Sequence, residues 1–279
     1  MKRILALASV TAVALLVTGC AASSEPSQNA APPRIDHVHG IAADPQSDDL
    51  LVATHNGIFT LSPDGEVLGP IGGYDFDAMG FTIAGEVLFA SGHPGSQTPS
   101  ELGSPNLGII RSDDFGASWS PIAFTSTEDF HILTSGPDGT LYGIGSSSPN
   151  LLTSTDGGVE WTTGTPLAAA DITVTSDALY AATEAGLQRS TDQGKSFALM
   201  PSAPLLYTLD ARQDGTLVGA DIDGGIWSQN PDGTWEQLGS TTGFAQALAS
   251  IETDRIVLVD ERGIVEVTPD GSTVLSPTG

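Results

Sequence analysis

DHVHGIAADPQSDDLLVATHNGIF, residues Asp36 to Phe59, sets the pattern on which the rest of the chain is read. A short run of apolar and small residues ends in a turn bearing Pro45 and Ser47. LLVATH follows over the length of one strand, and Gly57 opens a third run. Short apolar runs separated by turn residues read as neighbouring antiparallel strands. The same stretch holds three of the chain's five histidines: His37, His39 and His55.

Runs like LLVATH recur as VLFASG from Val87, TLYGIG from Thr140, ALYAAT from Ala178, TLVGAD from Thr216 and RIVLVD from Arg255. Three further segments share Ser-x-Asp-x-Gly-x-x-aromatic. They are Ser112, Asp114, Gly116 and Trp119; Ser154, Asp156, Gly158 and Trp161; and Ser190, Asp192, Gly194 and Phe197. In such a turn the Ser and Asp side chains bond local backbone N–H groups and the glycine takes a positive φ. Pro-Asp-Gly stands at the same phase at Pro63, Pro231 and Pro269. Phasing on these turns predicts six four-stranded units over 36–70, 78–122, 129–163, 169–200, 205–238 and 244–276. Nothing reads as a long helix. One turn type recurring at one phase, with a period of roughly 40 residues, predicts an all-β, six-bladed β-propeller rather than a sandwich.

The 33 glycines and 18 prolines among 279 residues suit many short strands. Only nine Lys and Arg stand against 34 Asp and Glu, a formal charge of −25, which argues against nucleic acid and anionic membrane surfaces as partners. Cys20 is the single cysteine, so an internal disulfide is excluded and no thiol remains for catalysis.

Residues 1–19 have a basic start at Lys2 and Arg3 and then an apolar run of signal-peptide length. Leu16 to Cys20 resembles the lipobox of bacterial lipoproteins, which implies cleavage before Cys20 and its lipidation. The expected location is the extracytoplasmic face of a cell membrane, held by the lipid. Residues 20–33 are small, polar and proline-bearing, and read as a tether with a reach of roughly 20 Å before a propeller over 34–279.

Strands of a blade alternate in direction, so first-strand starts and second-strand ends share one face. Counting back from the second strands aligns His39, Met79, His131, Ala170, Tyr207 and Gln246 on that face. His37, Asp77, Asp129, Ala168, Leu205 and Phe244 stand two residues earlier, on the same side by the period of two. His55 and His93 end second strands there. His37, His39, His55, Met79, His93 and His131 are therefore the candidate metal ligands. Imidazoles suit copper or zinc, and a thioether would favour copper, particularly Cu(I).

From His37 to Ser276 the chain is similar to bacterial Asp-box (BNR-repeat, sialidase-like) propeller lipoproteins, often labelled glycosyl hydrolases. HVHG, ATHNG, DAMGF, SGHPG and DFHIL carry the resemblance. It implies that the boxes are structural. The Arg-Ile-Pro signature of sialidases is absent, and Arg111 and Arg189 stand beside boxes, away from the histidine face. The leading expectation is a binding propeller whose histidine face holds a transition metal or a protein partner of the envelope. One alternative is a glycoside hydrolase-like enzyme in which Asp77 and Asp129 form an acid–base pair. The other is a structural scaffold.

Overall fold

A computed structural model describes residues 35–252 and 254–277 of the chain. The expected signal peptide and tether, with Cys20 and Arg34, lie outside the described residues. Among the described residues, no helix is long and apolar enough to cross a membrane.

The chain forms six sheets of four antiparallel strands, each built from consecutive strands in chain order. Blade one is β1 (Val38–Ala43), β2 (Leu50–Thr54), β3 (Gly57–Leu61) and β4 (Val67–Leu68). Blade two is β5 (Asp77–Ala84), β6 (Val87–His93), β7 (Ile109–Ser112) and β8 (Ser120–Ala123). Blade three is β9 (Phe130–Ser135), β10 (Leu141–Gly145), β11 (Asn150–Ser154) and β12 (Thr162–Pro166). Blade four is β13 (Ala169–Val174), β14 (Leu179–Thr183), β15 (Gly186–Ser190) and β16 (Ala198–Leu199). Blade five is β17 (Leu206–Ala211), β18 (Leu217–Asp221), β19 (Gly225–Gln229) and β20 (Trp235–Ser240). Blade six is β21 (Ala247–Glu252), β22 (Arg255–Asp260), β23 (Gly263–Thr268) and β24 (Gly271–Ser276). The architecture is a six-bladed β-propeller.

The second strands show why the runs quoted above are apolar or small at nearly every central position. In β2, Leu51 and Ala53 pack into a cluster with Phe76, Leu88 and Ile110 of the blade-two side. Leu50 and Val52, pointing the other way, pack with Val257, Val259 and Ile264 of blade six. A sheet covered on both faces loses the polar alternation of a half-exposed strand. Six such clusters occur, one between each pair of neighbouring blades. First strands of successive blades also touch, β1 with β5, β5 with β9, and so on to β21 with β1, closing the ring around a central channel. At the closing seam the Val38 N–H donates to Gln246 Oε1 at 3.0 Å.

The three Ser-x-Asp-x-Gly segments are turns between third and fourth strands. Ser112 Oγ donates to Asp114 Oδ1 at 2.8 Å and accepts from the Gly116 N–H at 2.7 Å. Asp114 in turn accepts from the Ser118 N–H and hydroxyl. Ser190, Asp192, Gly194 and Ser196 repeat the arrangement. Those two hydrogen bonds from Ser196, together with the bond from Ser190, pull the Asp192 carboxyl down to about 2. At the third turn Glu160 replaces the second serine, and its backbone N–H makes the bond. Every polar atom of the motif is thus engaged in shaping a turn, away from the channel mouth where the histidines stand.

Candidate functional site at the channel mouth

One irregularity shapes the mouth. In blades one to five the pairing of first and second strands skips a residue near the start of the first strand. The skipped residues are His39, Met79, His131, Ala170 and Tyr207. A bulge leaves its extra residue unpaired and re-aims the side chain. All five line the channel, together with Gln246 of blade six, whose N–H bonds Val259 O at 2.7 Å. The channel holds a cavity of about 780 Å³. The period of two used to place His37 and Asp77 beside His39 and Met79 is therefore broken at this end of the strands.

The histidines divide into two groups, each around one carboxylate. In the first, His39 Nε2 lies 3.2 Å from Asp77 Oδ1, and His55 Nδ1 lies 2.8 Å from Asp77 Oδ2. One donor atom from each of the three residues lies within 4.8 Å of the others. The His39–Asp77 approach is not along a hydrogen-bond direction: both atoms are buried and neither has a hydrogen-bond partner. The His55 ring meets His39 edge-on at 4.5 Å and His37 at 4.9 Å. His37 itself is exposed and takes a φ of 46° at the entry to β1. It stands next to the group without belonging to it.

Asp77 is set in place by its neighbours along the sheet. It pairs across the ladder with His93, and the next pair is Ala78 with Gly92. Gly92 has a φ of +140°, and a Cβ there would collide with the Asp77 carbonyl oxygen. Only glycine lets β5 and β6 approach this closely. Burial pushes the Asp77 carboxyl up, but the contacts with His39 and His55 outweigh it and hold the group below the usual carboxylate range.

The second group centres on Asp129, which is only 4 % exposed. His131 Nε2 lies 2.7 Å from Asp129 Oδ2, and the Ser146 hydroxyl donates to Oδ1. Burial raises the Asp129 carboxyl, yet Ser146, His131 and the charge of His93 together bring it below its ordinary value. An ionised carboxylate only accepts, so His131 donates from Nε2. His93 behaves differently. Its Nδ1 donates to the Pro105 carbonyl at 3.2 Å, and its Nε2 faces Asp129 Oδ2 at 3.6 Å. Since His93 is the ladder partner of Asp77, the two groups join into one arc across blades one to three. The loop after His93 is pinned by Asp75, which accepts from the Gln97 N–H and the Ser96 and Thr98 hydroxyls.

Two carboxylates on the channel wall were not among the candidates. Asp171 accepts from Thr208 Oγ1 at 2.9 Å and the Leu209 N–H at 3.0 Å, which ties blade four to blade five. Asp210 accepts from Thr173 Oγ1 at 3.2 Å and the Ser250 N–H at 2.8 Å, tying blade five to both neighbours. Loss of hydration dominates at both. It pushes Asp171 up to about 7 and Asp210 upward as well. Their sequence signal was a lone aspartate inside AADITV and inside YTLDA, which resembles an ordinary solvent-facing strand position.

No family model matches this chain, and no curated protein matches it. Solved structures do match. A gluconolactonase from Xanthomonas campestris is 12% identical, with a TM-score of 0.62 over 84% of this chain and 86% of that one. The GH74 enzyme of Niastella koreensis is 16% identical, with a TM-score of 0.63 over 87% of this chain. This chain spans 46% of that enzyme's length. Virginiamycin B lyase from Staphylococcus aureus is 17% identical, with a TM-score of 0.54 over 86% of this chain and 84% of that one. At these identities the likeness is one of fold.

Proposed function

We propose that this propeller binds one divalent transition metal, zinc ahead of copper, at the channel mouth through His39, His55 and Asp77. The supporting observation is the convergence of three donor atoms within 4.8 Å, two of them buried without a hydrogen-bond partner. An unsatisfied buried polar atom costs about 1–3 kcal/mol, and a shared cation satisfies both at once. His39 and His55 approach different oxygens of Asp77, at 3.2 and 2.8 Å, and the three donor atoms span up to 4.8 Å, so a tetrahedral ion bonded at about 2.0–2.1 Å, with ligands roughly 3.3 Å apart, draws the group together by a side-chain adjustment. Two imidazoles and a carboxylate suit zinc; Met79, on the channel wall, is the soft donor through which copper competes. The negative charge of the chain raises the local concentration of any cation.

The direct test is metal content. Untagged protein is expected to hold one zinc per chain after titration, and His39→Ala with His55→Ala to hold none. A parent protein that takes up neither zinc nor copper stoichiometrically sinks the reading.

A second reading, a hydrolase acting at the same mouth, has three observations behind it. Three protein ligands leave a coordination position open, the pattern of catalytic rather than structural zinc. An ion so held is a Lewis acid for a ligand oxygen. His131, oriented by Asp129, has a side chain 52 % exposed and stands where a general base can reach a ligand. The fold neighbours named above are enzymes, among them a glycoside hydrolase and a lactonase. Asp77 and Asp129 remain the alternative acid–base pair. Both are held below the ordinary carboxylate range, so at neutral pH neither carries the proton that an acid partner must give. Turnover of neutral glycosides or lactones, reduced about 100-fold or more in His131→Ala, is the expected result for an enzyme. Silence across such a panel leaves binding alone.

The setting we propose is a lipid-anchored lipoprotein on the outer side of a membrane, of the Asp-box kind suggested by the Ser-x-Asp-x-Gly turns. A scaffold role toward an envelope partner fits that setting too.

A further inference from the structure

The channel mouth is chemically divided. Blades one to three contribute the histidines with Asp77 and Asp129, whereas blades five and six present an aromatic pair. Phe244 is 63 % exposed, and its ring stacks on Tyr207 at 4.5 Å with an angle of 19° between planes. The Tyr207 hydroxyl donates to the Ala245 carbonyl at 3.0 Å and accepts from the Ala245 N–H at 2.7 Å. These two hydrogen bonds to the backbone of one residue fix the Tyr207 ring. Phe244, immediately before Ala245, is held against it, and both residues line the cavity.

The pair and His39 line the same cavity, with Gln246 of blade six between them around the ring. Gln246, two residues beyond Phe244, accepts from the Val38 N–H, and Val38 precedes His39. Exposed Leu205 and Ile222 extend the apolar side, for they flank the ladder pair Leu206–Asp221. A rigid aromatic surface next to a donor cluster provides two kinds of contact at once: stacking for a flat ring and coordination for an oxygen. The charge of −25 disfavours an anionic ligand.

We propose that Tyr207 and Phe244 form a stacking platform for the ring of a small, uncharged molecule whose oxygen donor reaches the ion at His39, His55 and Asp77. This deepens the metal-binding reading and rests on it. The platform supplies ring selectivity, and the ion supplies the polar anchor.

The experiment compares two hydroxamic acids with the same chelating group, benzohydroxamic acid with a ring and acetohydroxamic acid without one. Binding is measured by calorimetry on the zinc-loaded full chain. The parent is expected to prefer the ring-bearing probe by about tenfold, the order of one aromatic stacking interaction. Phe244→Ala should abolish the preference while binding acetohydroxamic acid unchanged, and Phe244→Trp should keep it. Equal affinity of the parent for both probes overturns the platform and leaves the metal reading intact. If direct titration shows no zinc, the metal reading fails alone. The platform is then judged on zinc-free protein, by saturation transfer to the ring protons of benzohydroxamic acid. Transfer lost in Phe244→Ala supports the ring seat, and no transfer in the parent refutes it. Phe244 is exposed, so its variants should melt with the parent, which a thermal scan checks.

Discussion

Zinc at 100 times its dissociation constant should stabilise the parent protein by about 2.7 kcal/mol, and Asp77→Asn should gain almost nothing from it. For a propeller of this size that is a rise in Tm of roughly 5–10 °C. The variant keeps the size of the side chain but removes the charge that holds the ion between two neutral imidazoles. It also leaves the Asp77 backbone free to pair with His93. The quantity to compare is the increment caused by zinc, because Asp77→Asn alters the metal-free protein as well. An equal increment in parent and variant would place the ion elsewhere. Chelator added to the zinc-loaded parent should return its Tm to the metal-free value.

The second large effect concerns pH and the opposite side of the channel. Asp171 is pushed up to about 7 in the folded protein, from an ordinary value of 3.8. The folded state therefore holds this proton more tightly than the unfolded chain. The contribution is stabilising below pH 3.8 and is lost as pH rises through 7. At 1.36 kcal/mol per pH unit the loss is about 4 kcal/mol, or a Tm change of the order of 10 °C. Asp77, Asp129 and Asp192 are shifted the other way: their stabilisation is present above the ordinary value and lost on acidification. The parent's raw pH profile mixes these opposing trends. Asp171→Asn isolates one of them, since the amide stays neutral throughout. The Tm difference, parent minus variant, should fall steadily between pH 4 and pH 7.5. A difference that stays constant across that window would mean that Asp171 is ionised at both ends.

The blades were legible because their signals are local. A second strand buried on both faces must be apolar along its centre, as LLVA and IVLV are, and each Ser-x-Asp-x-Gly turn marks the passage from a third strand to a fourth. The alignment of His39, Met79, His131, Ala170, Tyr207 and Gln246 around the channel followed from the same phasing. The bulge that aims the first five was not legible. It arises from how two strands pair, and the skipped residue can be His, Met, Ala or Tyr. The division of the histidines between Asp77 and Asp129 was hidden for a similar reason. Partner choice depends on side-chain reach across blades, which no spacing within one blade encodes. Asp171 and Asp210 escaped notice because an inner strand's burial is imposed by its neighbours in the ring. Tyr207 and Phe244 were aligned on the mouth by the phasing, but their stacking was not legible, because it depends on the approach of two different blades.

The bulges separate what the scaffold requires from what the channel displays. A residue skipped by the ladder contributes no cross-strand partner, so exchanging it disturbs little of the pairing on either side. The ring thus behaves as a set of sockets around one mouth, some holding reactive groups and one, Ala170, effectively blank. Such a design lets the groups at the mouth change while the architecture stays fixed. For an engineer, Ala170 is the natural place to add a new group to this mouth.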